Sequence, residues 1–304
     1  MKGKILEDFA VLNATMDLIR SGFGQKRGEK IYLHPIEALY LQLIGKANFG
    51  ELKDVVEWVK KKVAKFPEIF FVYQDLRKKG KKVRVEDNFI FVKKLFLPIS
   101  EKDAISFEEV KKLLSEFGEF MLAIVDEESE VTYYSVKKPV MQGEQIENLP
   151  KIHGSFFKDR VITKDVEIFR KYFYGNELDG FVVLSMLESV YLLEKGVLEV
   201  DKAEEMLEIA KNSEEFEERF KVYRDLKDRK FVVKTGFKFG SDFRVYRKVE
   251  SLEQLPHSEF MISIVKDAIS AKELSRTVRI ANSVRKKAVF VWKGEYFLFE
   301  WVRI

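Results

Sequence analysis

Along this chain the spacing of apolar positions switches between two periods, and it does so twice in the same order. In the first half, KGKILEDFAVL reads as short strands broken by turn residues and followed by a helix. A second helix carries EALYL (Glu37–Leu41), and ELKDVVEWVKKKVAKF adds an amphipathic stretch with apolar residues three and four apart. That stretch leads into VYQDL. VRVEDNFIFVKK then alternates apolar with polar, as strands with one buried face do. The helix FEEVKKLLSEF and closing strands complete the half. The second half repeats the series with HGSFFKDRVIT, ESVYL, KAEEMLEIAKNSEEFEERF and VYRDL, then the strand-like KFVVKTGFKFG and DFRVYRKV, the helix AKELSRTVRIANSV and a last pair of strands. The pattern predicts a mixed α/β (α+β) protein, each half a small α/β unit followed by a mixed sheet flanked by helices.

The two halves match residue by residue. Gly3, Asp8, Gly24, Leu33, Glu37, Tyr40, Leu41 and Gly45 stand 151 positions before Gly154, Asp159, Gly175, Leu184, Glu188, Tyr191, Leu192 and Gly196. VYQDLR at Val72–Arg77 stands 150 before VYRDLK at Val222–Lys227. A constant spacing over that length marks a tandem duplication. Its join near Pro150 predicts four segments: 1–66 and 149–217 as the small α/β units, 67–148 and 218–304 as the sheet domains. Further along, Phe89 aligns with Phe243, LPIS from Leu97 with LPHS from Leu255, and FMLAIV from Phe120 with AVFVWK from Ala288.

Composition narrows what such units do. The 304 residues exceed what one core usually serves, and 46% apolar content fills two or more. No run approaches the roughly 18 apolar residues of a membrane span, and MKGKILEDF lacks the apolar stretch of a signal peptide. A soluble, cytoplasmic protein is expected. Without cysteine there is no disulfide, thiolate site or cysteine nucleophile, and three histidines, His34, His153 and His257, are too few for an imidazole zinc cluster. Neither metal nor cofactor is expected. The net charge of +4 is too small to argue for a nucleic-acid partner, so the distribution of charge matters more.

Duplication lets one copy serve as a control for the other. The alignments put Val92 opposite Tyr246, Ile99 opposite His257 and Glu119 opposite Lys287. Singly, a strand tyrosine is a packing residue and a lysine at a helix end complements the dipole. Yet the scaffold positions persist while these three change, which points to one functional site in copy two and a degenerate one kept for architecture. Around the trio, Arg244, Arg247, Lys248, Arg279, Lys286 and Arg303 make a basic surface suited to a phosphate backbone. Copy one instead carries DEESE, with Asp126, Glu127, Glu128 and Glu130, an acidic tip that complements such a surface.

In combination, EALYL and ESVYL, VYRDL, GFKFGSDFRVY, the histidine of LPHSEF and RIANSVRKK resemble the archaeal tRNA-splicing endonucleases of the homodimeric, tandem-repeat type. The resemblance covers the whole chain. It implies a pseudo-catalytic first repeat, a catalytic second repeat and a restriction-endonuclease-like sheet. It further implies cleavage of precursor tRNA at bulge-helix-bulge junctions, leaving 2′,3′-cyclic phosphate and 5′-hydroxyl ends. The family's catalytic trio falls on Tyr246, His257 and Lys287, its base-clamping arginines on Arg279 and Arg303, and its dimer loop on the DEESE tip.

The chemistry agrees. RNA is cut without metal when a base takes the 2′-OH proton, an acid protonates the leaving 5′-oxygen and a cation balances the charge between them. An imidazole exchanges protons near neutrality, which suits His257 as the acid. Cations beside a phenol favour its ionised form, which suits Tyr246 as the base and Lys287 as the stabiliser. Two alternatives stand beside this reading. A metal-dependent nuclease of similar fold would need paired carboxylates such as Asp225 and Asp242, although Asp225 has the counterpart Asp75 in copy one. A non-catalytic RNA-binding scaffold would need none of the trio.

Overall fold

The computed structural model describes residues 1–251, 253 and 255–304. They form two compact units, one of residues 1–138, 267–278 and 298–304, the other of residues 139–266 and 279–297. The units do not follow the repeat boundary: residues 139–148 go with the second unit, and two late segments go with the first. No helix among the described residues is long and apolar enough to cross a membrane.

Each unit opens with a small sheet. In the first, Lys4–Ile5, Ala10–Asn13, Lys30–Leu33 and Gln25–Arg27 pair antiparallel in that order. In the second, Ile152–Phe157, Arg160–Thr163, Phe181–Ser185 and Asn176–Leu178 do the same, and Leu198–Val200 adds a parallel strand. The glutamates of EALYL and ESVYL explain why those segments persist in both copies. Glu37 closes a capping box at helix Pro35–Leu43: it accepts from His34 N–H at 3.0 Å, and His34 Nδ1 accepts from Ile36 N–H at 3.2 Å. Glu188 does the same for helix Met186–Glu194 with Ser185.

The second oxygen of each carboxylate accepts the N–H of a distant glycine, Gly24 at 3.1 Å and Gly175 at 2.8 Å. Both glycines have positive φ, and a Cβ on Gly24 would stand 2.3 Å from the Tyr32 carbonyl oxygen. Each buried carboxylate also faces a cation, Arg77 at 3.7 Å for Glu37 and Lys234 at 3.1 Å for Glu188. Burial pushes the Glu37 carboxyl up despite Arg77. For Glu188 burial acts upward too, but Lys234 and the hydrogen bonds from Gly175 and Ser185 bring the carboxyl below its usual range.

VYQDL and VYRDL lie on helices α1 (Phe66–Lys78) and α2 (Phe216–Asp228). Their aspartates hold a tyrosine of the sheet: Tyr133 Oη donates to Asp75 at 2.5 Å and Tyr296 Oη to Asp225 at 2.6 Å. The sheet of the first unit orders β1 (Arg84–Glu86), β2 (Phe89–Phe91), β3 (Leu95–Ser100), β4 (Glu119–Val125) and β5 (Val131–Lys137) side by side. Only β3 and β4 are parallel. The second unit repeats the order with β6 (Val232–Thr235), β7 (Phe243–Tyr246), β8 (Phe260–Ile264) and β9 (Lys287–Trp292), again with one parallel pair, β8 and β9. Strand β10 (Glu295–Val302) starts in the second unit, and its residues 298–302 pair antiparallel with β5 in the first. Helix α3 (Ala271–Ser283) precedes β9.

Two expectations need correction. GFKFG does not continue a strand: Phe237–Phe239 form a 3₁₀ turn, closed by Gly240 in the left-handed region at φ 66°. LPIS and LPHS are not equivalent either. Leu97, Pro98 and Ile99 lie buried within β3, whereas Leu255–Ser258 precede β8. With Glu119 and Lys287 both opening their strands, the registers Phe96↔Met121 and Ile262↔Val289 make Phe96 the counterpart of Ile262. His257 therefore has no partner at Ile99. It sits in the connection 247–259, where the first unit has only residues 92–94. A four-letter likeness misleads when connection lengths differ.

Candidate active site

Strand register builds this site. Val245 pairs with Phe260 and Phe260 with Lys287, while Glu259 N–H donates to the Val245 carbonyl and Lys287 N–H to the Glu259 carbonyl, each at 2.9 Å. The last residue of β7 is Tyr246, the first of β9 is Lys287, and the chain reaches Phe260 through His257. Tyr246 and Lys287 thus lie at one end of three neighbouring strands, and the connection carrying His257 enters β8 at that same end. Tyr246 is buried against Phe173, Val249 and its cross-strand partner Val232. Lys287 and His257 are exposed.

Glu259 was not anticipated, although it stands two residues after His257. Its carboxylate accepts from Arg247 Nε at 2.5 Å, Arg247 Nη2 at 3.3 Å and Lys287 Nζ at 3.0 Å. Burial pushes the Glu259 carboxyl up, but Arg247 and Lys287 more than offset it and hold the group below its usual range. Arg247 is itself fixed, since its Nη1 donates to the Gln142 carbonyl at 2.6 Å and its own carbonyl accepts from Glu144 N–H. This ion network holds the Lys287 ammonium, which lies 5.7 Å from the Phe260 ring.

The remaining residues group differently. Arg244 donates to the Thr235 carbonyl at 2.9 Å, and both Arg244 and Lys286 stand 5.6 Å from the centre of the Phe239 ring. Burial, then the charge of Arg244, pushes the Lys286 ammonium down from its ordinary value. Arg279 is exposed on α3, and Arg303, in the first unit, is exposed with its guanidinium 5.2 Å from the Trp301 ring. The acidic tip of the first unit is a tight turn. Asp126 accepts from Glu128 N–H at 3.0 Å and Glu130 N–H at 2.8 Å, and Glu127 pairs with Lys102 at 2.9 Å. All four carboxylates are exposed.

The carboxylates a metal-dependent nuclease would need are engaged in the scaffold. Asp225 accepts from Tyr296 and Arg229, while Asp242 accepts from Ile264 N–H at 2.8 Å and lies 3.2 Å from Arg219.

The mixed α/β scaffold thus gathers Tyr246, Lys287 and the connection carrying His257 at one sheet end, with Arg244 and Lys286, which among the described residues pair with no carboxylate, next to them in the strands' sequence. Residues 216–296 match the family described as tRNA intron endonuclease, catalytic C-terminal domain, and residues 152–211 match tRNA intron endonuclease, N-terminal domain. A tRNA-splicing endonuclease of Methanosarcina mazei is 35% identical in an alignment covering 93% of this chain and 92% of that protein. One of Methanococcoides burtonii is 35% identical, with 95% of each chain covered, and one of Natronomonas pharaonis is 32% identical over 93% and 92%. The chain belongs to the tRNA-splicing endonuclease family and is an enzyme of tRNA intron excision.

Proposed function

We propose that this enzyme cuts precursor tRNA at bulge-helix-bulge junctions without a metal ion, leaving 2′,3′-cyclic phosphate and 5′-hydroxyl ends. Tyr246 takes the proton of the 2′-OH, whose oxygen attacks the adjacent phosphorus. His257 gives a proton to the 5′-oxygen as the phosphorus–oxygen bond breaks, and Lys287 balances the charge that builds on the phosphoryl oxygens. The observation that carries this reading is the convergence of Tyr246, Lys287 and the His257 connection at one end of β7, β8 and β9. Arg244, Lys286, Arg279 and Arg303 contribute the cationic surface for the RNA.

Each chain has one such trio and an intron needs two cuts, so a two-fold homodimer is the simplest working form. In it, the Asp126–Glu130 tip of each subunit enters a basic surface of the other, fixing register more than affinity. The enzyme acts in the cytoplasm.

Incubation with an intron-containing precursor tRNA in excess EDTA, followed by end-group analysis, tests the chemistry. Cyclic-phosphate ends are expected, and a single 2′-deoxy substitution at the cut abolishes cleavage while binding persists. Activity lost in EDTA and restored by magnesium, with the RNA fold intact, overturns the metal-free scheme. Neutralising Asp126, Glu127, Glu128 and Glu130 to Asn or Gln tests the assembly. A weaker dimer in sedimentation and slower cleavage are expected, whereas an intact, fully active dimer would make the tip a solvated turn.

A further inference from the structure

The turn between β6 and β7 carries a feature that neither the trio nor the scaffold uses. Phe237 is 86% exposed, whereas Val232, Val233, Phe243, Val245 and Tyr246 of the flanking strands are buried. A single exposed aromatic ring is ordinary in itself, so its meaning lies in the turn that holds it and the charges around that turn. Backbone hydrogen bonds close the turn: Gly236 N–H donates to the Asp242 carbonyl at 3.0 Å, Phe239 N–H to the Gly236 carbonyl at 2.8 Å and Gly240 N–H to the Phe237 carbonyl at 3.0 Å. A Cβ on Gly236 would stand 2.2 Å from Ser241 Oγ, so the backbone closes tightly there. The first unit dispenses with the whole device, because its matching strands β1 and β2 pair Glu86 with Phe89 across the turn Asp87–Asn88. The sheet needs no such insertion.

The cations around the neighbouring Phe239 ring specify what kind of partner suits the turn. Arg244 and Lys286 flank the Phe239 ring, and Lys238 is exposed beside it. Among the described residues none of these three cations is paired with a carboxylate, unlike Lys287. Arg244 stands two residues before Tyr246 on β7, so both side chains leave the same face of the strand about 7 Å apart. We propose that the 236–240 turn is a stacking platform for RNA: the Phe237 ring takes a nucleobase flanking the cut, and Lys238, Arg244 and Lys286 hold the adjoining phosphates. Aromatic faces accept any base and cations accept any backbone, so the platform adds affinity and places the strand without reading its sequence. The turn's closed geometry keeps the ordering cost low. This inference rests on the RNA-cleaving reading above and concerns a different contact.

The test uses the full chain and a precursor tRNA made uncleavable by one 2′-deoxy nucleotide at the cut. Dissociation constants are measured for wild type, Phe237→Ala, Phe237→Leu and Phe237→Trp, with melting temperature and RNA-free sedimentation recorded for each. Binding about 5- to 100-fold weaker in both the Ala and Leu variants, restored by Trp, with unchanged melting and sedimentation, is the expected result. A Leu variant that binds like wild type removes stacking, and an Ala variant that does so removes the platform, the RNA-cleaving reading surviving both. Altered sedimentation of the free Ala variant assigns the ring to a protein interface instead and overturns the proposal. Wild type that binds no RNA overturns the parent reading and this one together.

Discussion

In the first unit β1 joins β2 through Asp87–Asn88, and β2 joins β3 through residues 92–94. In the second, the matching joints are residues 236–242 and 247–259, carrying Phe237 and His257. The strand ends differ in a second way. Glu119, the first residue of β4, pairs with Lys94 at 2.7 Å and accepts from Ser135 at 2.8 Å, whereas Lys287, the first residue of β9, pairs with Glu259 at 3.0 Å. The polarity of the pair is reversed. A sheet of this kind therefore accepts opposite charges at that end in either order, but only one order puts a cation at the start of the strand beside Tyr246. Architecture is held in common by the buried glutamate, the glycine it binds and the aspartate–tyrosine bond, whereas the residues proposed for catalysis lie where the second unit was lengthened or inverted.

The sharpest test of that contrast is paired substitution. Lys287→Ala should slow the cleavage step by about 10²- to 10⁴-fold with RNA binding little changed, as for other charge-stabilising groups. Glu119→Ala should leave single-turnover cleavage within a few-fold of wild type. Equal losses would mean that the strand-end pairs serve only folding.

The buried carboxylates should separate next. Glu188→Ala leaves the Lys234 ammonium without its counter-charge and should cost about 3–5 kcal/mol in denaturant unfolding. Glu37→Ala should cost less, because Arg77 stands farther off, at 3.7 Å against 3.1 Å, while each cation keeps two backbone carbonyls as acceptors, Ser21 and Gly22 for Arg77 and Phe173 and Gly175 for Lys234. Equal costs would show that the distance difference carries no weight.

The smallest effect concerns the two helix caps. Burial, partly opposed by Asp87, holds the His34 imidazole down at about 4, and as a cap its Nδ1 must stay unprotonated to accept from Ile36. Between about 6.5 and 4 the unfolded chain takes up a proton that the folded chain refuses, so stability falls as pH falls, by roughly 3 kcal/mol at most. Ser185 caps the corresponding helix without titrating. The stability of His34→Ser relative to wild type, followed by thermal melts from pH 7 to pH 4, should therefore rise as the solution is acidified. A constant difference would remove His34 from the pH response.

Much of this was legible in the sequence, for identifiable reasons. The repeat showed because Glu37 and Glu188 each bind both a cap and a glycine, so neither residue is replaced without losing two hydrogen bonds. Lys287 stood out because it opens its strand as Glu119 does, but the registers Ile90↔Phe96 and Phe243↔Ile262 make Ile90, not Phe89, the counterpart of Phe243, so Tyr246 answers to Lys93 just beyond β2 rather than to Val92. The position of His257 did not stand out, since loops have no period, and LPHS resembled a strand segment by four letters alone. Glu259 was hidden because its meaning is a contact with Arg247 and Lys287, residues 12 and 28 positions away. Phe237 left a signal in GFKFG, two aromatics between glycines, but the alternation around it favoured a strand.

The connection between the copies has a consequence for any attempt to divide the chain. Gly143 lies so close to the Lys230 carbonyl that a Cβ would stand 2.1 Å from its oxygen, and the N–H groups of Gly143, Glu144 and Gln145 donate to the carbonyls of Arg229, Arg247 and Lys230. Gln145 also accepts from Val249 N–H, and Glu147 pairs with the buried Lys227 at 2.5 Å. Scission at 148–149, the natural cut by repeat counting, would carry this strap away with the wrong fragment and leave Lys227 with its charge uncompensated. Scission at 138–139 keeps it, so a viable two-chain version of this enzyme begins its second polypeptide with the strap attached.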